Sequence, residues 1–147
     1  MFFKTTNELK NYIEELYIKV KPLAMEKDIY KDLNVYFSEG TPRNIEGTYC
    51  YSDKRGYHYC FTERGEIRLD NVTQSLFEIS YWVIKPEIFT MATNFERKSR
   101  VDKQDSRRIY FQEMIELFNC IGDNYRKRVE IEIDEILKIA PYQDGLY

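Results

Sequence analysis

The residues best suited to chemistry lie in one short segment, Thr48–Glu66, which holds two cysteines, the only histidine and a cluster of tyrosines. Cys50, His58 and Cys60 carry soft or borderline metal ligands, and Cys120 could approach as a fourth. Their spacing lacks the Cys-x2–4-Cys clip that is typical of structural zinc sites. We therefore expect buried cysteines and a surface histidine, with no metal site and no cofactor.

Catalytic patterns are equally scarce along the chain. His58 is the only imidazole available as a base, and no Gly-x-Ser-x-Gly motif or glycine-rich phosphate loop accompanies it. The carboxylates near the C-terminal end alternate with apolar residues, and Arg128 can pair with Glu132 on a helix, which predicts a solvated helix face. We expect no catalytic and no cofactor-binding residues; a small enzyme of unknown reaction is the weakest of three alternatives.

Charge bears on the nucleic-acid alternative. The segment 97–108 is basic and, with a tyrosine-rich sheet, could imitate a single-strand-binding surface or another protein-interaction module. The whole chain has a net charge of -3 and a pI near 5.4, whereas general affinity for nucleic acid requires cationic groups that displace counterions from phosphates. Nucleic acid is therefore disfavoured as a partner.

Length and hydropathy bound the class of protein. A chain of 147 residues suits one domain, 1–147, and its ordinary composition predicts a globular fold. Every apolar stretch is interrupted by charge well before the ~18 residues that a membrane span requires. The first residues lack a signal-peptide core, so we expect a cytoplasmic protein with reduced cysteines and no membrane partner.

The hydrophobic pattern predicts a helix, a small sheet and then more helices. Thr5 and Glu8 have capping-box spacing before an amphipathic helix. A period of two from Ile45 to Leu69 predicts three antiparallel strands, with a possible fourth at "LNVYF". We expect Tyr49, Tyr59 and Phe61 on one covered face. A helix capped by Asn71 or Thr73 should end before Pro86, and two helices should follow residue 105. This order defines an α+β fold, with the meander packed against an N-terminal helix and C-terminal helices.

The tyrosines suggest a role in recognition. Thirteen tyrosines exceed the number that one small core would bury with each hydroxyl satisfied. Tyrosine is enriched at protein interfaces because it is rigid, largely apolar and polar at its tip. Some of these side chains should therefore lie on a binding surface.

The order of several segments is similar to one known family. The aromatic hairpin ends in Glu63-Arg64-Gly65, and the later segments are "LFEISYWV", "FERKSRVDKQDSRRIYFQEMIELF" and "EILKIAPYQD". Together, over about Tyr49 to Asp144, they resemble the immunity protein 63 family of bacterial polymorphic-toxin systems. Tyr125 stands where such proteins are expected to have a tryptophan.

The resemblance implies a small cytoplasmic protein that binds and neutralises a cognate toxin domain, such as a nuclease, by occlusion and without catalysis. We expect a monomer or weak homodimer. The motif residues are expected to be scaffold: Glu63, Arg64, Gly65, Tyr81, Trp82, Glu96, Arg100, Asp105, Arg107, Arg108 and Phe111. The candidate toxin contacts are Tyr51, Tyr57, Lys54, Arg55, Glu130 and Asp134.

Overall fold

The structure is a computed structural model that describes residues 2–145. Its α-helices are α1 (Thr6–Tyr17), α2 (Lys21–Glu26), α3 (Leu76–Lys98), α4 (Arg107–Ile121) and α5 (Asp123–Ile139). Its strands are β1 (Tyr36–Phe37), β2 (Gly47–Asp53), β3 (Gly56–Glu63) and β4 (Glu66–Thr73). Short 3-10 turns occupy Ile18–Val20 and Pro42–Asn44. The α+β class predicted from the sequence is confirmed.

The sheet has the order β1-β2-β3-β4. Strands β2, β3 and β4 form the predicted antiparallel meander, and β1 joins β2 in parallel, so the sheet is mixed. The pairing of β3 with β4 shifts register between Phe61 and Thr62. Strand β4 pairs within the sheet only with β3 and is largely exposed, so it forms one edge.

The chain divides into two compact units, each built from separate segments. The first contains the residues up to Leu16 together with Asp32–Pro86, and the second contains Tyr17–Lys31 together with the residues from Glu87 onward. The buried side chains of the first unit include Leu9, Ile13, Tyr49, Tyr57, Ile79, Tyr81 and Ile84. Those of the second include Val20, Met91, Phe111, Leu117, Phe118, Val129 and Ile133. The single domain 1–147 stays a prediction.

Helix α1 begins as its sequence predicts. The backbone N–H of Thr5 donates to Glu8 Oε1 at 2.9 Å, and the N–H of Glu8 donates to Thr5 Oγ1 at 3.2 Å, which is the reciprocal capping box. Leu9 and Ile13 then lie one turn apart on the same face and are fully buried. Both the capping box and the buried apolar stripe therefore match the N-terminal helix predicted from the sequence.

The predicted limits of α3 are wrong at both ends. Residues 71–73, expected to cap a helix, belong to β4, and the helix runs from Leu76 through Pro86 to Lys98. A proline inside a helix removes one backbone hydrogen bond and costs about 3 kcal/mol. Buried residues flank it on both sides, including Ile84 and Ile88, and their burial offsets that cost.

No helix within residues 2–145 combines the length and the apolar character that crossing a membrane requires.

Candidate functional site

The first candidate site lies on one face of the meander, around the single histidine. The hairpin places Tyr51 opposite His58 and Tyr49 opposite Cys60, and β4 places Asp70 opposite Cys60. Directly opposed residues share a face of a sheet. The face that carries His58 therefore combines the odd-numbered residues of β2 with the even-numbered residues of β3.

This register corrects the predicted faces. The turn between β2 and β3 has two residues, so Cys50 pairs with Tyr59 and lies on the face opposite to His58. The ligand set Cys50, His58 and Cys60 is therefore not formed. Tyr49 is buried as expected, but Tyr59 and Phe61 are only half-buried and lie on the other face, whereas His58 is 1% exposed rather than at the surface.

His58 is held between two carboxylates. Its Nε2 lies 2.9 Å from Asp53 Oδ1, and its Nδ1 lies 3.0 Å from Asp70 Oδ1. Hydrogen bonds from His58 keep the pKa of both Asp53 and Asp70 below the ordinary value. Each carboxylate is placed to accept a hydrogen bond from the ring nitrogen that faces it, so both edges of the ring are engaged.

Two neutral side chains, Tyr51 and Cys60, lie beside His58 and its two carboxylates. Tyr51 stacks on His58 with ring centroids 4.3 Å apart and planes 7° from parallel, and burial raises the pKa of its phenol to about 12. The thiol of Cys60 donates to Asp70 Oδ1 at 3.3 Å, and burial raises its pKa to about 12. Cys60 is therefore a protonated thiol near neutral pH and a poor nucleophile.

The predicted contacts at this hairpin divide into exposed and buried residues. Lys54 and Arg55 are exposed at the turn, as expected, and Tyr51 is half-buried. Tyr57 is 3% exposed, so its expected exposure is wrong. Its hydroxyl accepts a hydrogen bond from the Lys4 N–H at 2.9 Å, and Phe3 packs against its ring at 5.5 Å. The residues before α1 therefore cover Tyr57.

The second candidate site is the basic segment 97–108, whose charges are largely paired. Arg100 donates two hydrogen bonds to Glu96, at 3.0 and 2.7 Å, and Lys98 pairs with Asp28 at 3.1 Å. Such pairing lowers the positive charge that could bind phosphate. The geometry argues against this segment as a nucleic-acid surface.

Asp105 is the centre of a network at the start of α4. It is 1% exposed, and its carboxylate accepts hydrogen bonds from the Arg107 guanidinium at 2.7 Å and from the Gln143 N–H at 3.0 Å. Arg107 also donates to the carbonyls of Ala140 and Pro141, at 2.7 and 2.8 Å. Hydrogen bonding from Arg107 holds the pKa of Asp105 well below its usual range. The network ties the start of α4 to the segment that follows α5.

Arg108 extends this network through a residue that the sequence did not single out. It pairs with Asp144 at 2.8 Å and lies 4.2 Å over the ring of Tyr142. Asp144 also accepts from the backbone N–H of Asp105 at 2.8 Å, so it joins two motif residues.

The remaining motif residues lie in a turn and in buried positions. Arg64 and Gly65 have φ of 52° and 77° and form the two-residue turn between β3 and β4, next to Glu63. Tyr81 is 1% exposed and Phe111 is 6% exposed. Trp82 is half-buried, Glu96 is buried in its pair with Arg100, and these positions are consistent with a scaffold role.

The third candidate surface is the outward side of α5, which mixes carboxylates with isoleucines. Arg126 pairs with Glu130 at 2.6 Å, and the predicted pair of Arg128 with Glu132 is present at 3.2 Å. Ile131 is 57% exposed on this helix. Asp134, Glu135 and Ile139 are also exposed.

The elements define a small α+β protein with charged and apolar groups at its surface. The model of the immunity protein 63 family matches residues 53–135. The chain belongs to this family, whose members are immunity proteins directed against toxins and are generally non-catalytic. The match covers strands β3 and β4, helices α3 and α4 and most of α5, and it begins at the last residue of β2. No curated protein and no solved structure matches the chain.

Proposed function

We propose that this protein binds a cognate toxin domain in the bacterial cytoplasm and neutralises it by occlusion. The family match over residues 53–135 carries this proposal. Occlusion requires a complementary surface and no reactive group, so the function depends on the shape and charge of the exposed residues.

The chemistry of the His58 hairpin supports a non-catalytic role. A general base or a nucleophile must reach a substrate in its reactive protonation state. The imidazole is 1% exposed and both of its nitrogens are engaged by carboxylates, while the pKa of Cys50 and of Cys60 is raised by burial to about 12. These groups suit structure better than reaction.

The outward side of α5 is the contact surface that we favour. Ile131 offers an apolar anchor, exposed Asp134 adds negative charge near it, and Glu130 contributes a polar group paired with Arg126. An apolar centre with a charged rim is the usual arrangement of a protein interface. A basic toxin surface, such as the substrate-binding face of a nuclease, would complement it. Lys54 and Arg55 at the hairpin turn are a separate candidate contact.

The proposal predicts a toxin reading frame next to the gene for this chain, and the test uses the toxin domain that it encodes. We expect the two proteins to copurify as a stoichiometric complex and the toxin's activity to be lost at equimolar ratio. Ile131→Asp and Asp134→Lys should each weaken binding at least tenfold, with a marked salt dependence for the charge variant. Ile67→Asp, on exposed β4, and Glu39→Lys are matched surface controls that should leave binding unchanged.

Two outcomes would contradict different parts of the proposal. Full toxin activity in the presence of excess protein, with no complex by calorimetry, would overturn neutralisation by binding. Tight binding that the controls weaken as much as the α5 variants would overturn the contact surface alone.

A further inference from the structure

Three potential metal ligands converge on the His58 face of the sheet. They are His58 Nδ1, Cys60 Sγ and a carboxylate oxygen of Asp70, and all lie within 4.8 Å of one another. His58 and Cys60 are two residues apart on β3 and so point to the same face, and Asp70 is the cross-strand partner of Cys60 on β4. The register of two neighbouring strands therefore creates the cluster.

The spacing of these atoms is close to that around a tetrahedral cation. Asp70 Oδ1 lies 3.0 Å from His58 Nδ1 and 3.3 Å from Cys60 Sγ. Around tetrahedral zinc, with its usual bond lengths, such pairs are separated by about 3.4 and about 3.6 Å. We propose that His58, Cys60 and Asp70 form a binding site for a zinc-class divalent cation. The three ligand atoms lie within 4.8 Å of one another, so side-chain adjustment would bring them around one ion.

The groups behind the imidazole match the second shell of a metal site. Histidines that bind metals almost always donate their other N–H to a carboxylate, a carbonyl or water. His58 Nε2 lies 2.9 Å from Asp53 Oδ1, and Asp53 is itself fixed by the Arg55 N–H at 2.8 Å. The stacked ring of Tyr51 fixes the plane of the imidazole. The ligand is therefore already oriented.

The ligands would coordinate in their deprotonated forms. The thiol proton of Cys60 would pass to solvent, and Nδ1 of His58 would present its lone pair to the ion while Nε2–H donates to Asp53. Asp70 is 41% exposed in its side chain, whereas His58 is 1% exposed, so the ion enters from the side of Asp70. Water would supply the fourth ligand, as at zinc sites with three protein ligands.

The experiment titrates chelator-treated full-length protein with Co²⁺ as a spectroscopic probe, and with Zn²⁺ in competition with a chromophoric chelator. We expect one ion per chain, a thiolate-to-cobalt charge-transfer band, and release of the Cys60 thiol proton on binding. Cys60→Ser should abolish the band and weaken zinc binding at least tenfold. Asp53→Asn should weaken zinc binding about 10- to 100-fold, the usual effect of losing a second-shell partner.

Cys120→Ser and Cys50→Ser are the matched controls, because neither thiol lies in the cluster. Both should keep the band and the affinity, and circular dichroism should verify the fold of each variant. Absence of the charge-transfer band in the unmodified protein would overturn the site without reliance on any variant. Zinc affinity that is unchanged in folded Cys60→Ser, or lost in Cys120→Ser, would also overturn it. None of these measurements involves a toxin, so the site is tested separately from the proposed function.

Discussion

Asp105 carries the clearest prediction at the scale of single residues. Asp105→Ala should lower the free energy of unfolding by about 3 kcal/mol, because the Arg107 guanidinium loses its buried partner but keeps two carbonyl acceptors. Urea denaturation measures the loss. Asp102→Ala, an exposed position in the same segment, should change stability by less than about 0.5 kcal/mol.

Arg108→Ala should also lower the free energy of unfolding, but by less than Asp105→Ala does, because the pair of Arg108 with Asp144 is half-exposed. For both variants, we expect the change in stability to exceed any direct change in toxin affinity, measured by calorimetry on folded protein. Unchanged unfolding midpoints with a hundredfold weaker complex would place these residues in the interface instead.

The same carboxylate predicts how stability depends on pH. Because the folded pKa of Asp105 is held below its unfolded value of about 3.9, its contribution is complete above that value and is lost as the pH falls towards the folded pKa. The unfolding free energy should therefore fall below about pH 4. Urea midpoints between pH 7 and pH 2.5 should show a smaller acid loss in Asp105→Asn than in the unmodified protein. An equal loss in both would assign acid sensitivity to other groups.

At this scale the sequence identified both members of the Asp105–Arg107 pair but only one member of the Arg108–Asp144 pair. Asp105, Arg107 and Arg108 were selected from their motif, but Asp144 was not, because it lies 36 residues from Arg108 in a segment without periodicity. Asp70 was missed for a different reason, which is the register of the strands. Its role depends on which residue of β3 it opposes, and a bulge near Phe61 makes that register impossible to count from the sequence.

At the scale of secondary structure, the turn between β3 and β4 is the most sensitive feature. Both Arg64 and Gly65 have left-handed φ angles, as the favoured two-residue hairpin turn requires. Gly65→Ala should cost about 1–2 kcal/mol, because a side chain at that φ is strained. Arg64→Asn should instead stabilise the protein by about 0.5 kcal/mol, since asparagine tolerates this region. Thermal unfolding compares the two, and a stabilising Gly65→Ala would contradict the turn geometry.

Periodicity predicted which segments form strands but not which face each residue takes. Alternation along β2 and β3 is visible in the sequence, whereas the relative phase depends on whether the connecting turn has two residues or three. The turn between β2 and β3 has two residues, so the residues of β3 lie on the opposite faces from those predicted relative to β2. The predicted end of helix α3 is wrong for a different reason. Pro86 is a strong local signal to end a helix, but the burial of residues on both sides of it stabilises the continued helix.

At the scale of the whole molecule, paired charges predict weak interaction with nucleic acid. The net charge is -3, and Arg100, Arg107 and Arg108 each have a carboxylate partner. Fluorescence titration with oligonucleotides should give a Kd weaker than about 10⁻⁴ M at moderate salt. Glu96→Gln, which releases Arg100, should bind more tightly at low salt. Micromolar, salt-sensitive binding that Tyr59→Ala abolishes without unfolding would reverse the preference for a protein partner.

Each of the two units combines segments that are far apart in the sequence, so a unit cannot be completed until its last segment has left the ribosome. Ile18–Val20 contacts α4, which begins at Arg107. Translation at about 5–20 residues per second separates these segments by roughly 4–17 s. Until α4 emerges, the apolar side chains of Val20 and its neighbours lack their final partners. A newly started chain therefore offers no completed second unit during that interval. In the proposed function, protection during that interval would depend on protein synthesised earlier.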